Sequence, residues 1–316
     1  MKEIGGYFEL ELQGREEFHQ KALKLNSGRN CFKYILKTQK ITKVYIPNYI
    51  CDSIIEPLEE FNIKYDFYNI DERFEVIGEI EVKENEKFLY VNYYALKTKY
   101  INQLSDQYNT KLVIDNTQAF FNLPIENIDT IYSPRKFFGV SDGGYLYINK
   151  ISDKMYEKDI SDSYSQLLGR IELGASKCYE EYQQSECSLV NSPIKSMSNL
   201  TAKILNSIDY ENVERIRIKN FNFLHKKLKK FNKLKIDLSD IKVPFTYPYM
   251  VDDIELRENL IKNKVYVAKY WNEVLDRESV NHYEKDFVDQ IIPLPIDQRY
   301  NLEDMKRIVE VIKGCR

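Results

Sequence analysis

The feature that most constrains this chain is the alternation, through its first half, of short β-rich runs with helical patterns. Strand candidates lie at Lys43–Ile46, Lys64–Asn69, Lys87–Asn92, Lys111–Asp115, Thr130–Ser133 and Gly144–Ile148. Helix candidates at Asn30–Thr38, Asp52–Phe61 and Asn102–Tyr108 fall between several of them. This order is the signature of βαβ units, a sheet of substantial parallel character and helices packed on its faces by right-handed connections. From about Ile151 to Asn206 the pattern is mainly helical. A long helix is then expected from Tyr210 to about Phe231, with Val213, Ile216, Phe221, Leu224 and Leu228 as its apolar stripe. Strands at Lys235–Leu238 and Thr246–Val251, a helix near Ile254–Lys262 and a final helix Leu302–Ile312 complete the pattern. The reading is a large α/β domain over residues 1–208 and a smaller C-terminal α+β domain over 209–316.

A chain of 316 residues buries roughly 75% of the surface its unfolded form exposes, so a sizeable core is available. The formal net charge of −3 argues against a nucleic-acid partner, which calls for a basic excess. The one Lys-rich segment, His225–Lys230, reads as a solvated helix face. No apolar run approaches the ~20 residues that span a bilayer, and the acidic N-terminus does not read as a signal peptide. Cys31, Cys51, Cys178, Cys187 and Cys315 include no C-x-x-C pair, which points away from disulfides and zinc and toward a reducing cytoplasm. His19, His225 and His282 stand far apart, leaving little from which to build a metal site or a Ser-His-Asp triad.

Open α/β sheets bind ligands outside the carboxyl ends of their strands, and three segments place polar residues there. Ser27-Gly28-Arg29-Asn30 precedes a helix, where free N–H groups and the dipole favour an anion such as phosphate; Ser27 as an ordinary N-cap is the plainer reading. At Asp115-Asn116-Thr117-Gln118 an apolar strand ends in a carboxylate suited to a metal, a ribose hydroxyl or a protonated ring nitrogen, or to a turn. In Ser133-Pro134-Arg135-Lys136-Phe137-Phe138 a lysine stands beside a cation and in apolar company, both of which disfavour its charged form. A neutral amine can form a Schiff base. Together the three supply what a pyridoxal phosphate (PLP) enzyme requires: a phosphate cradle, an acid for the pyridine nitrogen and an imine-forming lysine.

The sequence resembles the DegT/DnrJ/StrS family of PLP-dependent sugar aminotransferases. Asp115-Asn116-Thr117-Gln118-Ala119 is similar to the family's D-x-x-[QH]-A, and Ser133 to Lys136 with Asp142-Gly143-Gly144 to its lysine segment and D-G-G. Ser27 to Asn30 stands at its S-G-T-x-A-L, and Val44 to Tyr49 at its V-I-x-P-x-[FY]. Ile291 to Pro295 is similar to its C-terminal segment, so the likeness spans nearly the whole chain. The resemblance implies the type I PLP-dependent transferase fold, a three-layer α/β domain on a mixed sheet followed by a small α+β domain, and a homodimer. It implies Lys136 as catalytic residue and Ser27, Gly28, Arg29, Asn30, Tyr49, Asp115, Gln118, Ser133 and Lys136 as cofactor-binding. Asp115 would pair with the pyridine nitrogen, Gln118 with the ring hydroxyl and Ser133 with the phosphate, and Tyr49 would stack on the ring. An amino-acid donor, L-glutamate, and a nucleotide-linked keto-sugar acceptor are the implied substrates.

There are departures. Arg29 replaces a small residue of the phosphate loop. The family's N-x-R loop, which reaches the partner subunit's cofactor, lacks its Arg here, with Asn191 and Lys195 as candidate substitutes. The chain is shorter than usual, which leaves a small phosphorylated ketone as an alternative acceptor. Tyr93, Tyr94 and Tyr247 are candidates to line a sugar pocket, and Tyr270-Trp271 either covers the site or packs the small domain. Two readings of other classes compete. Ser133 to Lys136 as the S-x-x-K of a serine acyl-transfer enzyme lacks the accompanying K-T-G and S-D-N. A non-catalytic binding or regulatory protein on the same fold would have no need of Lys136.

Overall fold

The computed structural model describes residues 4–149, 151, 154–160, 164–253 and 255–314; Ile254 and Cys315 lie outside them. The strands are β1 (Leu23–Leu25), β2 (Lys43–Pro47), β3 (Lys64–Tyr68), β4 (Glu86–Val91), β5 (Leu112–Asp115), β6 (Asp129–Tyr132), β7 (Gly144–Tyr147), β8 (Tyr247–Met250) and β9 (Ile291–Leu294). Helices α1 (Gly28–Thr38), α2 (Ile55–Glu60) and α3 (Thr98–Tyr108) sit among the first of these. Next come α4 (Ser165–Leu173), α5 (Tyr179–Cys187), α6 (Asn199–Leu205) and the long α7 (Tyr210–Leu228). The chain ends with α8 (Leu256–Lys262), α9 (His282–Gln290) and α10 (Leu302–Gly314).

A seven-stranded sheet runs in the order β1-β7-β6-β5-β4-β2-β3. Strands β3, β2, β4, β5 and β6 are mutually parallel, and β7 and β1 run against their neighbours. All four residues of β5 and of β6 are buried, as are five of six in β4, so the sheet centre is covered on both faces. The six strands expected in the first half all form, within one residue at most ends. Strands β8 and β9 pair as an antiparallel ribbon, against which α7 and α9 pack.

The structure corrects one expectation and adds one helix. No strand forms at Lys235–Leu238; a short 3-10 turn, Leu238–Asp240, follows instead. Asp237 accepts from the backbone N–H of Ser239 at 2.9 Å, a local bond that competes with strand pairing. Helix α9 was missed, although Asn281 and Glu284 form a capping box at its start, the N-x-x-E pattern such a start leaves in a sequence.

His19 shows how polar groups are built into the core. Its Nε2 donates to the Phe120 carbonyl at 2.8 Å, and its Nδ1 lies 3.2 Å from the Tyr147 hydroxyl. A carbonyl only accepts, so the neutral ring carries its proton on Nε2 and accepts from Tyr147 through Nδ1. Burial lowers its pKa from 6.5 to about 4. The folded state therefore takes up this proton less readily than the unfolded state. The His19 contribution is complete above pH 6.5 and is lost as the pH falls through about 4. We expect denaturant unfolding from pH 7.5 to 4 to show roughly 2–3 kcal/mol of acid-side loss from this group. That part of the slope should be absent in His19→Phe.

Candidate functional site

Register decides which loops meet. Val91 is opposite Asp115, and Asp115 is opposite Ile131, so β4, β5 and β6 end level with one another. Tyr132 is opposite Tyr145, and Leu25 is opposite Gly144. The antiparallel β7 and β1 therefore bring residues 26–28 back to the same edge, beside Ser133. An isolated bridge between Ser27 and Gly143, and a bond from the Gly143 N–H to the Asn26 carbonyl at 2.7 Å, fasten the two turns.

At this edge Ser27 caps α1, its Oγ accepting from the Asn30 N–H at 3.0 Å. The first-turn amides of Gly28 and Arg29 have no helical carbonyl to donate to. Gly28 leaves a slot: a Cβ there would meet Thr117 Cγ2 at 3.4 Å, Ser133 Cβ at 3.6 Å and Ile131 Cγ2 at 3.8 Å. The slot thus lies among the residues after β5, the end of β6 and Ser133, which begins the 3-10 turn Pro134–Lys136. Asp115, the buried last residue of β5, accepts from the Thr117 N–H through Oδ1 at 2.8 Å. Lys136 Nζ donates to Thr117 Oγ1 at 3.0 Å. Gln118 is buried, and its Oε1 accepts from the Tyr94 N–H at 2.8 Å.

Ser27, Gly28, Asp115, Gln118, Ser133 and Lys136 are thus gathered at one edge, while the other candidate side chains are engaged elsewhere. Arg29 pairs with Glu56 at 3.1 Å and donates to the Leu189 carbonyl. Asn30 Nδ2 donates to Asn26 Oδ1 at 2.8 Å and to the Pro193 carbonyl at 2.9 Å. Tyr49 is buried, with its hydroxyl 3.1 Å from that of Tyr94 and its ring 4.6 Å from Trp271 and 5.5 Å from Tyr93. It packs in an aromatic core to which Trp271 also contributes.

Lys136 does not stand in an apolar pocket: it is exposed. Phe137 and Phe138 turn their rings into the core, near Phe245 at 5.3 Å and Phe120 at 5.0 Å. Arg135 pairs with Glu186 at 2.6 Å, which answers its charge. The loop after α5 folds onto its own chain: the Asn191 N–H donates to Glu56 at 2.8 Å, and Lys195 pairs with Asp159 at 3.1 Å.

One contributor escaped the sequence reading: Thr117 lay inside a quoted motif but had no role there. Tyr94, a candidate for a sugar pocket, is instead buried and bonded to Gln118, and it and Ala95 have φ of 55° and 63°, a conformation that non-glycine residues seldom adopt and that carries no sequence signal.

No family model matches the sequence, and no curated protein matches it. Solved structures do match its fold. A DegT/DnrJ/EryC1/StrS aminotransferase from Brucella abortus aligns with a TM-score of 0.62 at 13% identity, over 94% of this chain and 88% of that one. The sugar aminotransferase CalS13 from Micromonospora echinospora aligns with a TM-score of 0.65 at 14% identity, over 93% and 87%. NtdA from Bacillus subtilis, with bound cofactor PMP, aligns with a TM-score of 0.66 at 15% identity, over 94% and 74%. This chain has the fold of those aminotransferases.

The backbone contact that assembles the edge is open to a direct test. A Cβ on Gly144 would collide with the Ser27 carbonyl and lie 2.7 Å from the Cys31 sulfur. Gly144→Ala is expected to displace the start of α1 and to cost about 1–3 kcal/mol, measured by urea unfolding. Gly139→Ala, with its nearest contact at 3.9 Å, should cost far less.

Proposed function

We propose that this chain is a PLP-dependent aminotransferase that moves an amino group from L-glutamate to a nucleotide-linked keto-sugar, in amino-sugar or surface-polysaccharide biosynthesis. The observation that carries the reading is the meeting, at one sheet edge, of the Gly28 slot, Ser133, the Asp115 carboxylate and the Lys136 amine on Thr117. The residues fit the cofactor. The free first-turn amides of Gly28 and Arg29, at a helix N-terminus beside Ser133, suit a phosphate, and the buried carboxylate of Asp115 suits a protonated ring nitrogen. The bound cofactor supplies an electron sink that stabilises a carbanion next to the substrate nitrogen.

The protein's part is then specific. Ser27 orients the first turn of α1, so that the Gly28 and Arg29 amides hold the phosphate with Ser133. Asp115 keeps the ring nitrogen protonated. Thr117 holds Lys136 Nζ by one hydrogen bond, and Lys136 accepts and returns the proton at Nζ as general base and acid. Gln118 braces the Tyr94 peptide on one side of this edge. For Arg29, Asn30 and Tyr49 the reading keeps supporting roles, holding the phosphate turn and walling the site, in place of direct side-chain contacts.

The fold's neighbours support the acceptor class: CalS13 is a sugar aminotransferase, and Helicobacter pylori PseC is an aminotransferase of pseudaminic acid biosynthesis. The proposal includes a homodimer acting in the cytoplasm, with residues 1–208 carrying the cofactor and 209–316 forming the small domain. Leu168, Ile171 and Leu173 on α4 and Tyr179 on α5 are exposed, and the proposal places them toward the partner subunit, since exposed apolar patches mark interfaces. Among the described residues no helix is long and apolar enough to cross a membrane.

The deciding experiment is a UV–visible spectrum of the purified protein with PLP, before and after L-glutamate, beside Lys136→Ala. A visible band that glutamate bleaches in the wild type alone is expected. A wild type that shows no band after incubation with PLP overturns the reading.

A further inference from the structure

Arg217 on α7 is an unusual core residue. It is among the largest side chains that are fully buried, at 1% exposure. Among the described residues, no carboxylate lies within ion-pair distance of it; the nearby Asp297 is bound to Arg299 at 2.7 Å. Burial lowers the Arg217 pKa to about 10. Its donors go to neutral acceptors on separate segments. Nη1 donates to the Phe245 carbonyl at 2.9 Å and Nε to Gln298 Oε1 at 3.2 Å. Nη2 reaches the Phe137 carbonyl at 3.5 Å, and the guanidinium lies 4.5 Å from the centre of the Phe137 ring. Gln298 completes the circuit, its Nε2 donating to the same Phe137 carbonyl at 2.8 Å.

An apolar side chain of similar volume fills a core at lower desolvation cost than an unpaired buried cation. What the arginine adds is direction. Its bond to Gln298 Oε1 leaves the amide NH2 aimed at Phe137, and its plane clamps the Phe137 ring. Phe137 follows Lys136 and closes the 3-10 turn on which the lysine stands. Both the carbonyl and the ring of the neighbouring residue are held from the C-terminal half of the chain.

We propose that the buried Arg217 and the half-buried Gln298 form a positioning relay that sets the backbone under Lys136, and so places its amine against Thr117. The inference takes Lys136 as the reacting group, and to that extent rests on the function proposed above. Neither residue touches the reacting atoms; both are positioning residues.

Gln298→Glu separates positioning from adhesion. The carboxylate keeps an acceptor for Arg217 and pairs its charge, but it has no hydrogen to give the Phe137 carbonyl. An adhesive role predicts an unfolding midpoint no lower than that of the wild type and an unaltered lysine. The relay predicts a folded protein with a misplaced one. Two readouts follow, each beside a thermal melt. In cofactor-free protein, acylation of Lys136 by N-hydroxysuccinimidyl acetate is followed by peptide mass spectrometry, relative to the exposed Lys313. With PLP added, the growth of the visible band is timed. In folded Gln298→Glu the Lys136/Lys313 labelling ratio is expected to change by about threefold or more, the scale of one hydrogen bond. Band growth should slow by a similar factor. Arg217→Lys, which keeps the charge and loses the fork, should change the ratio in the same direction. An unchanged ratio in folded Gln298→Glu overturns the relay. A changed ratio in a protein whose wild type gives no band with PLP upholds the relay and overturns the function.

Discussion

The structure depends on strand register at the carboxyl edge of the sheet. Parallel β4, β5 and β6 end level because Val91, Asp115 and Ile131 lie in one row. Antiparallel β7 and β1 return the chain to that row, so the turn before α1 lies against the turn after β6. Two backbones come this close only where one lacks side chains. Gly144 meets Ser27 without a Cβ, and Gly143 has a φ of +116° with Pro134, Thr201 and Met197 packed around it. Asp142 anchors the same turn, accepting from the Ser198 N–H at 2.8 Å and its hydroxyl at 2.6 Å, at the start of α6. Asp142-Gly143-Gly144 is therefore an assembly device, on which the slot beside Gly28 depends.

Buried charge serves the same end. Lys33 is 2% exposed and pairs with Glu56 at 3.3 Å and with Glu60 at 2.5 Å. Arg29 joins Glu56 as well. Charges withdrawn from water are tolerated when paired and hydrogen-bonded, and here the pairing ties α1 to α2 and to the loop after α5. This accounts for a large cation at position 29, where the family that the sequence resembles carries a small residue: its guanidinium is engaged with Glu56 and the Leu189 carbonyl. Lys87 does the equivalent deeper in the sheet, joining Asp129 at 2.8 Å while Gln39 donates to the same oxygen at 2.7 Å.

The sheet was legible in the sequence because its strands are short apolar runs bounded by polar turns, and burial on both faces writes that pattern directly. The candidate site was legible to the extent that residue type marks a position: Asp115 ends a strand, Lys136 follows a proline and Gly28 opens a helix, and the structure brings the three to one sheet edge. It was illegible where function depends on direction. The sequence places two Phe beside Lys136, and nothing in it tells whether the rings turn toward the amine or away. Tyr49 stands at the predicted strand end, yet the rings of Trp271 and Tyr93, distant in sequence, draw it into the core. Strand β1 has three residues, too few to show a period. Arg217 sits on the apolar side of α7, where a 3.6-residue pattern admits no charge.

An exposed lysine needs outside help to be well placed. The four-carbon stem of a lysine is flexible, and at Lys136 the amine is held through a hydrogen bond to the Thr117 hydroxyl. Accuracy must then come from the backbone beneath it. Pro134 fixes one end of the turn through its ring. At the other end the Phe138 ring packs 5.5 Å from Tyr210 and 5.0 Å from Phe120, and the Phe137 ring 5.3 Å from Phe245. The Phe137 N–H and the Phe138 N–H both donate to the Pro134 carbonyl at 2.9 Å. A turn so short has few internal bonds, so its rigidity is borrowed from the core on which its aromatic neighbours stand. Part of that core, with Tyr210, Arg217 and Phe245, lies beyond residue 208. The large sheet presents the lysine, and the C-terminal part of the chain determines how firmly it is presented.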